Sequence, residues 1–109
     1  MRRGDVVTVA LSGDYGKPRP AVVVQTDSLP STHPSVIVCQ FTSDLFDTPD
    51  IRITISPSTT NGLRVLSQIM ADKPATVRRD RVGSAIGRLD GADLRRLDAA
   101  LALVLGLSD

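Results

Sequence analysis

Few side chains in this sequence are equipped for chemistry, and their types narrow what that chemistry can be. His33 is the one histidine and Cys39 the one cysteine among 109 residues. Every acidic residue is Asp, and the only lysines are Lys17 and Lys73, so nearly all positive charge is carried by Arg. A tight transition-metal site uses three or four clustered ligands, which one His and one Cys without repeated acidic spacing do not supply. A Ser-His-Asp or Cys-His nucleophile would need His33, which stands beside Pro34 and reads as a solvated loop residue. Cys39 alternates with Ile37 and Phe41 and reads as core. Gly13 and Gly16 have no helical pattern after them, so they form no phosphate-cradling loop.

What remains is a set of arginines and hydroxyls at strand ends. Arg19 is flanked by Pro18 and Pro20, which fix the backbone around it. Thr42 and Ser43 follow Phe41 at the end of an apolar run. A planar guanidinium fork suits phosphate better than an ammonium does, and an Arg meeting two hydroxyls at one rim would hold a phosphate without a metal. Two explanations of the Arg excess stand side by side: the codon bias of a GC-rich genome, and phosphate binding by some of the arginines. An Arg at a strand edge is also commonly a solvated side chain. Placement decides between them.

The elements that must position these residues are mostly strands. Segments 5–11, 19–25 and 35–41 are short β-branched runs separated by turn residues. Segment 50–56 alternates, with Ile51, Ile53 and Ile55 on one side and Arg52 and Thr54 on the other, the pattern of a half-buried strand. Segment 63–69 returns to strand character, 75–77 continues or pairs with it past Pro74, and 82–89 fits a strand weakened by Gly83 and Gly87. From Asp90 the period becomes helical: Leu94, Leu97, Leu101, Val104 and Leu105 share a stripe, Asp90 is the expected N-cap and Gly106 the stop. Leu103 and Leu107 widen that stripe beyond one contact, and a dimer partner would cover them. The expected fold is mainly β with α: six or seven short antiparallel strands in a strongly bent sheet or barrel, with a C-terminal amphipathic helix packed against it.

The length is that of one domain, residues 1–109. No apolar run approaches the roughly 18 residues of a membrane span, no signal-like segment follows Met1, and a soluble cytoplasmic protein is expected. A net charge of +1 argues against a generic polyanion binder. The positive excess lies after residue 60, where Arg78, Arg79, Arg81 and Arg88 are near enough in sequence to form one basic patch, a solvated face being the plainer alternative.

The opening Arg3-Gly-Asp-Val-Val, the Gly16-Lys-Pro-Arg-Pro-Ala-Val-Val-Val element, Phe41-Thr-Ser, Gly62-Leu-Arg-Val-Leu-Ser-Gln-Ile and the terminal helix occur in the order of one family. Together they closely resemble the MazF/PemK (Kid) toxin endoribonucleases, over nearly the whole chain. The resemblance implies an SH3-like barrel with a C-terminal helix, a homodimer, no cofactor, and metal-independent, sequence-selective cleavage of single-stranded RNA. It also implies neutralisation by a cognate MazE/PemI-like antitoxin, for which an acidic, extended tail is expected. Carried onto this sequence, the catalytic positions fall on Arg19 and Thr42, with Ser43 beside them as a substrate contact; Lys17, Gln68 and Arg78 are further expected substrate contacts. Some members carry an Arg followed two residues later by Asp, where this chain has Met70-Ala71-Asp72. Met70 donates no hydrogen bond to phosphate, so either Arg19 suffices or a nearby arginine substitutes. The loop over 12–17 is shorter than in many members, where it partly covers the RNA groove.

RNA carries its own nucleophile, the 2′-hydroxyl, so an enzyme needs only to orient it, move protons and stabilise a crowded phosphorane-like transition state. Arg19 is expected to bind the scissile phosphate, Thr42 and Ser43 to hydrogen-bond its oxygens, and Asp72 to accept the 2′-proton, since Arg keeps its own proton. Products would be a 2′,3′-cyclic phosphate and a 5′-hydroxyl. Two alternatives are a CcdB-like gyrase-binding toxin, disfavoured by the absence of Trp, and a catalytically silent member that only binds RNA or antitoxin.

Overall fold

The computed structural model describes residues 1–11 and 16–109. Six strands and one long helix follow in order: β1 Asp5–Val9, β2 Arg19–Val23, β3 Ser35–Thr42, β4 Arg52–Ile55, β5 Ser67–Arg78, β6 Val82–Arg88 and α1 Gly91–Val104. All strand pairs are antiparallel, in the order β4-β5-β3-β2-β1-β6. The alternation seen in the sequence sorts side chains onto two faces, and both faces are buried over much of the sheet. On one, Val22, Cys39, Phe41, Ile53, Ile69 and Leu97 share a core with α1. On the other, Val7, Val9, Ala21, Val23, Val36, Val38 and Val77 are 0–5% exposed with no helix over them. A flat sheet would leave that second face in water, so the strands must curl until their side chains meet, as in a small barrel.

β5 is one strand of 12 residues running through Pro74, the continuation being one of the two readings the sequence leaves open there. The reason is a register break: Cys39 faces Pro74 and Phe41 faces Ile69, so two residues of β3 advance against five of β5. The surplus residues bend β5, and a proline is tolerated at such a break because it has no ladder hydrogen bond to give. The first half of β5 thereby pairs with both β3 and β4. The segment before it, from Leu63, is loop, with Leu63 buried as a core plug.

α1 begins where expected. The Asp90 carboxylate accepts the Asp93 N–H at 2.8 Å, and Gly106, at φ +72°, ends the helix with left-handed backbone. Leu97, Ala100 and Leu101 are buried against β4 and β5. Leu103, Leu105 and Leu107 stay 47%, 58% and 77% exposed. No helix among the described residues is long and apolar enough to cross a membrane.

Candidate active site

Arg19 opens β2 and Thr42 closes β3. The ladder between these strands pairs Val23 with Val38, Val22 with Cys39 and Ala21 with Gln40. Arg19 and Thr42 lie two residues beyond the last pair, one on each strand, so by strand periodicity they project from the same face as Ala21 and Gln40. Farther along the strands that face is the closed, helix-free core; here the sheet opens and the face turns polar. Arg19 and Thr42 line one cleft of about 440 Å³ with Ser43, Asp44, Ser67 and Met70.

Thr42 is held by the turn that follows it. Its hydroxyl oxygen accepts the Asp44 N–H at 3.1 Å, which occupies a lone pair and leaves the hydroxyl hydrogen to be donated into the cleft. The same turn brings Asp44 into the lining, a carboxylate that the family motif gave no reason to single out.

The other expected site residues are placed elsewhere. Thr42 pairs with Gln68 on β5, and Gln68 with Thr54 on β4, yet Gln68 is 4% exposed and its amide is engaged within the protein. It accepts the Phe46 N–H at 3.0 Å, donates to the Phe46 carbonyl at 2.9 Å and to the Thr54 hydroxyl at 3.2 Å. Asp72 shares the face of Gln68 and Met70 but does not line the cleft, because its carboxylate is bound by Arg52 at 3.0 and 3.4 Å. Desolvation pushes the Asp72 pKa up, but the Arg52 hydrogen bond, a backbone N–H and the charges of Arg52 and Lys73 outweigh it, so the carboxyl is held below its ordinary value of 3.8. A carboxylate stabilised in this way is a weaker proton acceptor.

Arg52 stands directly across from Met70, the place from which a neighbouring arginine would replace the missing guanidinium. It is spent on Asp72, lies 5.3 Å from the centre of the Phe46 ring, and has only 12% of its side chain exposed. Arg78 pairs with Ser35 at the opposite end of β3 from Thr42, a strand length of roughly 23 Å away, and forms an ion pair with Asp80. Arg79 is bound to the His33 carbonyl at that same far end. The expected patch of later arginines therefore does not gather at the cleft. Lys17 is exposed beside Arg19 but outside the cleft lining, and residues 12–15, most of the loop expected near the RNA groove, lie outside the described residues. Cys39 is fully buried, and that burial is the main reason its thiol is pushed up to about 11, which suits core packing and not nucleophilic attack.

This chain matches, over residues 2–105, the family described as "PemK-like, MazF-like toxin of type II toxin-antitoxin system". It is 43% identical to the "Probable endoribonuclease MazF" of Mycolicibacterium smegmatis, with 99% of each chain covered. It is 33% identical to "Endoribonuclease MazF9" of Mycobacterium tuberculosis, with 98% of each covered. In fold it is similar to a mycobacterial endoribonuclease solved in complex with its cognate antitoxin, at a TM-score of 0.83 and 23% identity over 98% of this chain and 96% of that one. A MazE-MazF complex from Deinococcus radiodurans aligns at a TM-score of 0.77 and 20% identity, covering 97% and 95%. On the strength of the family match and of the two relatives above 30% identity, the chain belongs to the PemK-like, MazF-like toxins of type II toxin–antitoxin systems.

Proposed function

We propose that the chain is the toxin of a type II toxin–antitoxin pair and an endoribonuclease that cuts single-stranded RNA at the Arg19 cleft without a metal. The observation that carries this reading is that Arg19, Thr42, Ser43 and Asp44, which bring one guanidinium, two hydroxyls and one carboxylate, line a single open cleft. Those groups suffice when the substrate brings its own nucleophile. The 2′-oxygen attacks the adjacent phosphorus, the bond from phosphorus to the 5′-oxygen breaks, and the products end in a 2′,3′-cyclic phosphate and a 5′-hydroxyl. Arg19 and the Thr42 and Ser43 hydroxyls neutralise the charge that builds on the phosphoryl oxygens, worth most when the donors are already in place. Asp44 is the carboxylate within the cleft and takes the 2′-proton; Asp72, engaged by Arg52, serves the neighbouring surface instead. The departing 5′-oxygen takes its proton from water or through Arg19.

The names carried by both curated relatives favour the nuclease over a gyrase-binding toxin. A cognate antitoxin is the natural partner, since similar folds are solved with theirs, and a second copy of the chain is proposed to cover the exposed leucines at the end of α1. The test is incubation of purified protein and of an Arg19→Ala variant with mixed-sequence RNA in EDTA. Cleavage by the wild type alone, with cyclic-phosphate ends, supports the reading. RNA binding without cleavage would make the chain a silent member, and trapping of gyrase on DNA would make it a gyrase toxin.

A further inference from the structure

Phe46 is an exposed aromatic ring whose backbone is clasped and whose ring is backed by a guanidinium. It is one of three aromatic residues in the chain; of the two phenylalanines, Phe41 is 7% exposed in the core whereas Phe46 is 58% exposed. An apolar ring at a loop position ordinarily gains nothing from being fixed, because ordering it costs conformational entropy that no burial offsets. Here two devices fix it. The buried Gln68 amide bonds both the N–H and the carbonyl of Phe46, at 3.0 and 2.9 Å, clasping one loop residue as a neighbouring strand would. Beneath the ring lies the Arg52 guanidinium, 5.3 Å from its centroid, itself held by Asp72 at 3.0 Å. One ring face therefore rests on a cation and the other faces solvent.

The platform is continuous with the cleft. Gln68 is the cross-strand partner of Thr42, and Arg52 is the cross-strand partner of Met70, which lines the Arg19 cleft. Neighbouring strands lie about 4.8 Å apart, so the ring, beside Arg52 of β4 and Gln68 of β5, stands one or two strands from Thr42 and one strand more from Arg19, on the same face of the sheet. A flat, one-sided apolar surface on a clasped loop residue beside a phosphate site matches a nucleobase, which offers a π-face whatever its sequence.

Resting on the endoribonuclease reading, we propose that Phe46 is a stacking platform for an RNA base next to the scissile phosphate, with Gln68 and Arg52 as the residues that position it. Stacking of this kind sets where the strand lies and how tightly it is held, while base identity is read by other groups.

The test uses a short, mixed-sequence 2′-O-methyl oligoribonucleotide, which cannot be cut by 2′-attack, at one fixed salt concentration. Phe46→Leu keeps apolar bulk and removes the π-face; its affinity should fall roughly 5- to 100-fold, and with cleavable RNA the loss should appear in KM more than in kcat. Phe46→Trp would carry the sole Trp of the chain; it should keep affinity, and its fluorescence should be quenched as RNA binds. Adding Gln68→Met to that variant should lower the indole anisotropy, a readout that a merely stabilising role for Gln68 would leave unmoved. Wild-type affinity in Phe46→Leu together with unquenched indole emission in Phe46→Trp would overturn the platform while leaving the nuclease reading in place. Loss of antitoxin binding with normal RNA binding in Phe46→Leu would likewise overturn it, assigning the ring to a protein partner. If the wild type neither binds nor cuts RNA, the nuclease reading fails and the platform with it.

Discussion

Arg19 and Thr42 continue the β2–β3 ladder by the same two-residue step, so a guanidinium and a hydroxyl from strands on either side of a loop arrive at one cleft. Their approach is set by backbone register, the least adjustable feature of a sheet: a slip of one residue in either strand would turn that strand's side chain to the opposite face and part the two. The curled, helix-free core behind them, with Val23, Val38 and Val36 almost fully buried, is what holds that register.

Arg19→Ala should lower the cleavage rate by on the order of 10²–10³ and abolish growth inhibition, with the melting temperature unchanged because Arg19 is exposed and outside both cores. Single-turnover cleavage and thermal unfolding on the same preparation check both halves of the expectation.

The two carboxylates should separate in kinetics. Asp44→Asn removes the proton acceptor within the cleft and should cost roughly 10²–10⁴ in kcat, the usual range for a general base. Asp72→Asn releases Arg52 instead, and its effect should fall on RNA affinity. Equal kcat losses in the two variants would refute the assignment.

Acid stability should report the Arg52–Asp72 pair. Because the Asp72 carboxyl is held below 3.8 in the folded chain, the pair's contribution is complete above that value and is lost as pH falls through the lower, folded one. The stability difference between wild type and Asp72→Asn should be constant from neutrality to about pH 5 and shrink only under stronger acid. Urea unfolding across that range gives the answer.

Gly62→Ala should be among the most damaging changes outside the site. Gly62 has φ +72°, and a Cβ there would sit 2.1 Å from the Ile86 carbonyl oxygen. The left-handed backbone alone costs a non-glycine residue about 1–2 kcal/mol, and the collision adds to it by pushing the 58–62 turn off β6. Denaturant midpoints measure the loss.

Leu105→Glu should disrupt self-association. Leu103, Leu105 and Leu107 leave an apolar end on α1 that a second copy is proposed to cover, and a charge there would have to be buried unpaired. Light scattering should find a dimer for the wild type and a monomer for the variant.

Much of the fold was legible because its elements obey simple periods. The β-branched runs that became β1, β2 and β3, and the 3.6-residue leucine spacing of α1 with its Asp90 cap, are local signals that tertiary packing had no reason to override. The sequence leaves open whether β5 continues across Pro74, since the break opposite Cys39 is a property of two strands and not of one. Gly87 weakened the reading of β6 for a related reason: it is there because the turn at Thr60 and Asn61 presses on it, and a Cβ would lie 2.4 Å from the Thr60 carbonyl oxygen. Residue chemistry and resemblance together point to Arg19 and Thr42, and the structure brings the two to one cleft. Gln68 was singled out for substrate and instead clasps Phe46, a contact 22 residues distant that no spacing announces. Phe46 itself leaves one trace, an aromatic ring beside Leu45 in the Asp-rich 43–50 segment of a chain poor in aromatics.

Whether the Arg19 cleft lets RNA attack itself is decided by paired substrates differing in one atom. An oligoribonucleotide containing a cut site and its copy with a 2′-deoxy sugar at the scissile position are incubated with the protein in EDTA, and binding, cleavage and end groups are measured. Self-attack predicts similar binding of both, cleavage of the all-ribose strand only, and 2′,3′-cyclic phosphate and 5′-hydroxyl ends. Cleavage of the deoxy strand, or 5′-phosphate ends on the ribose strand, would contradict it.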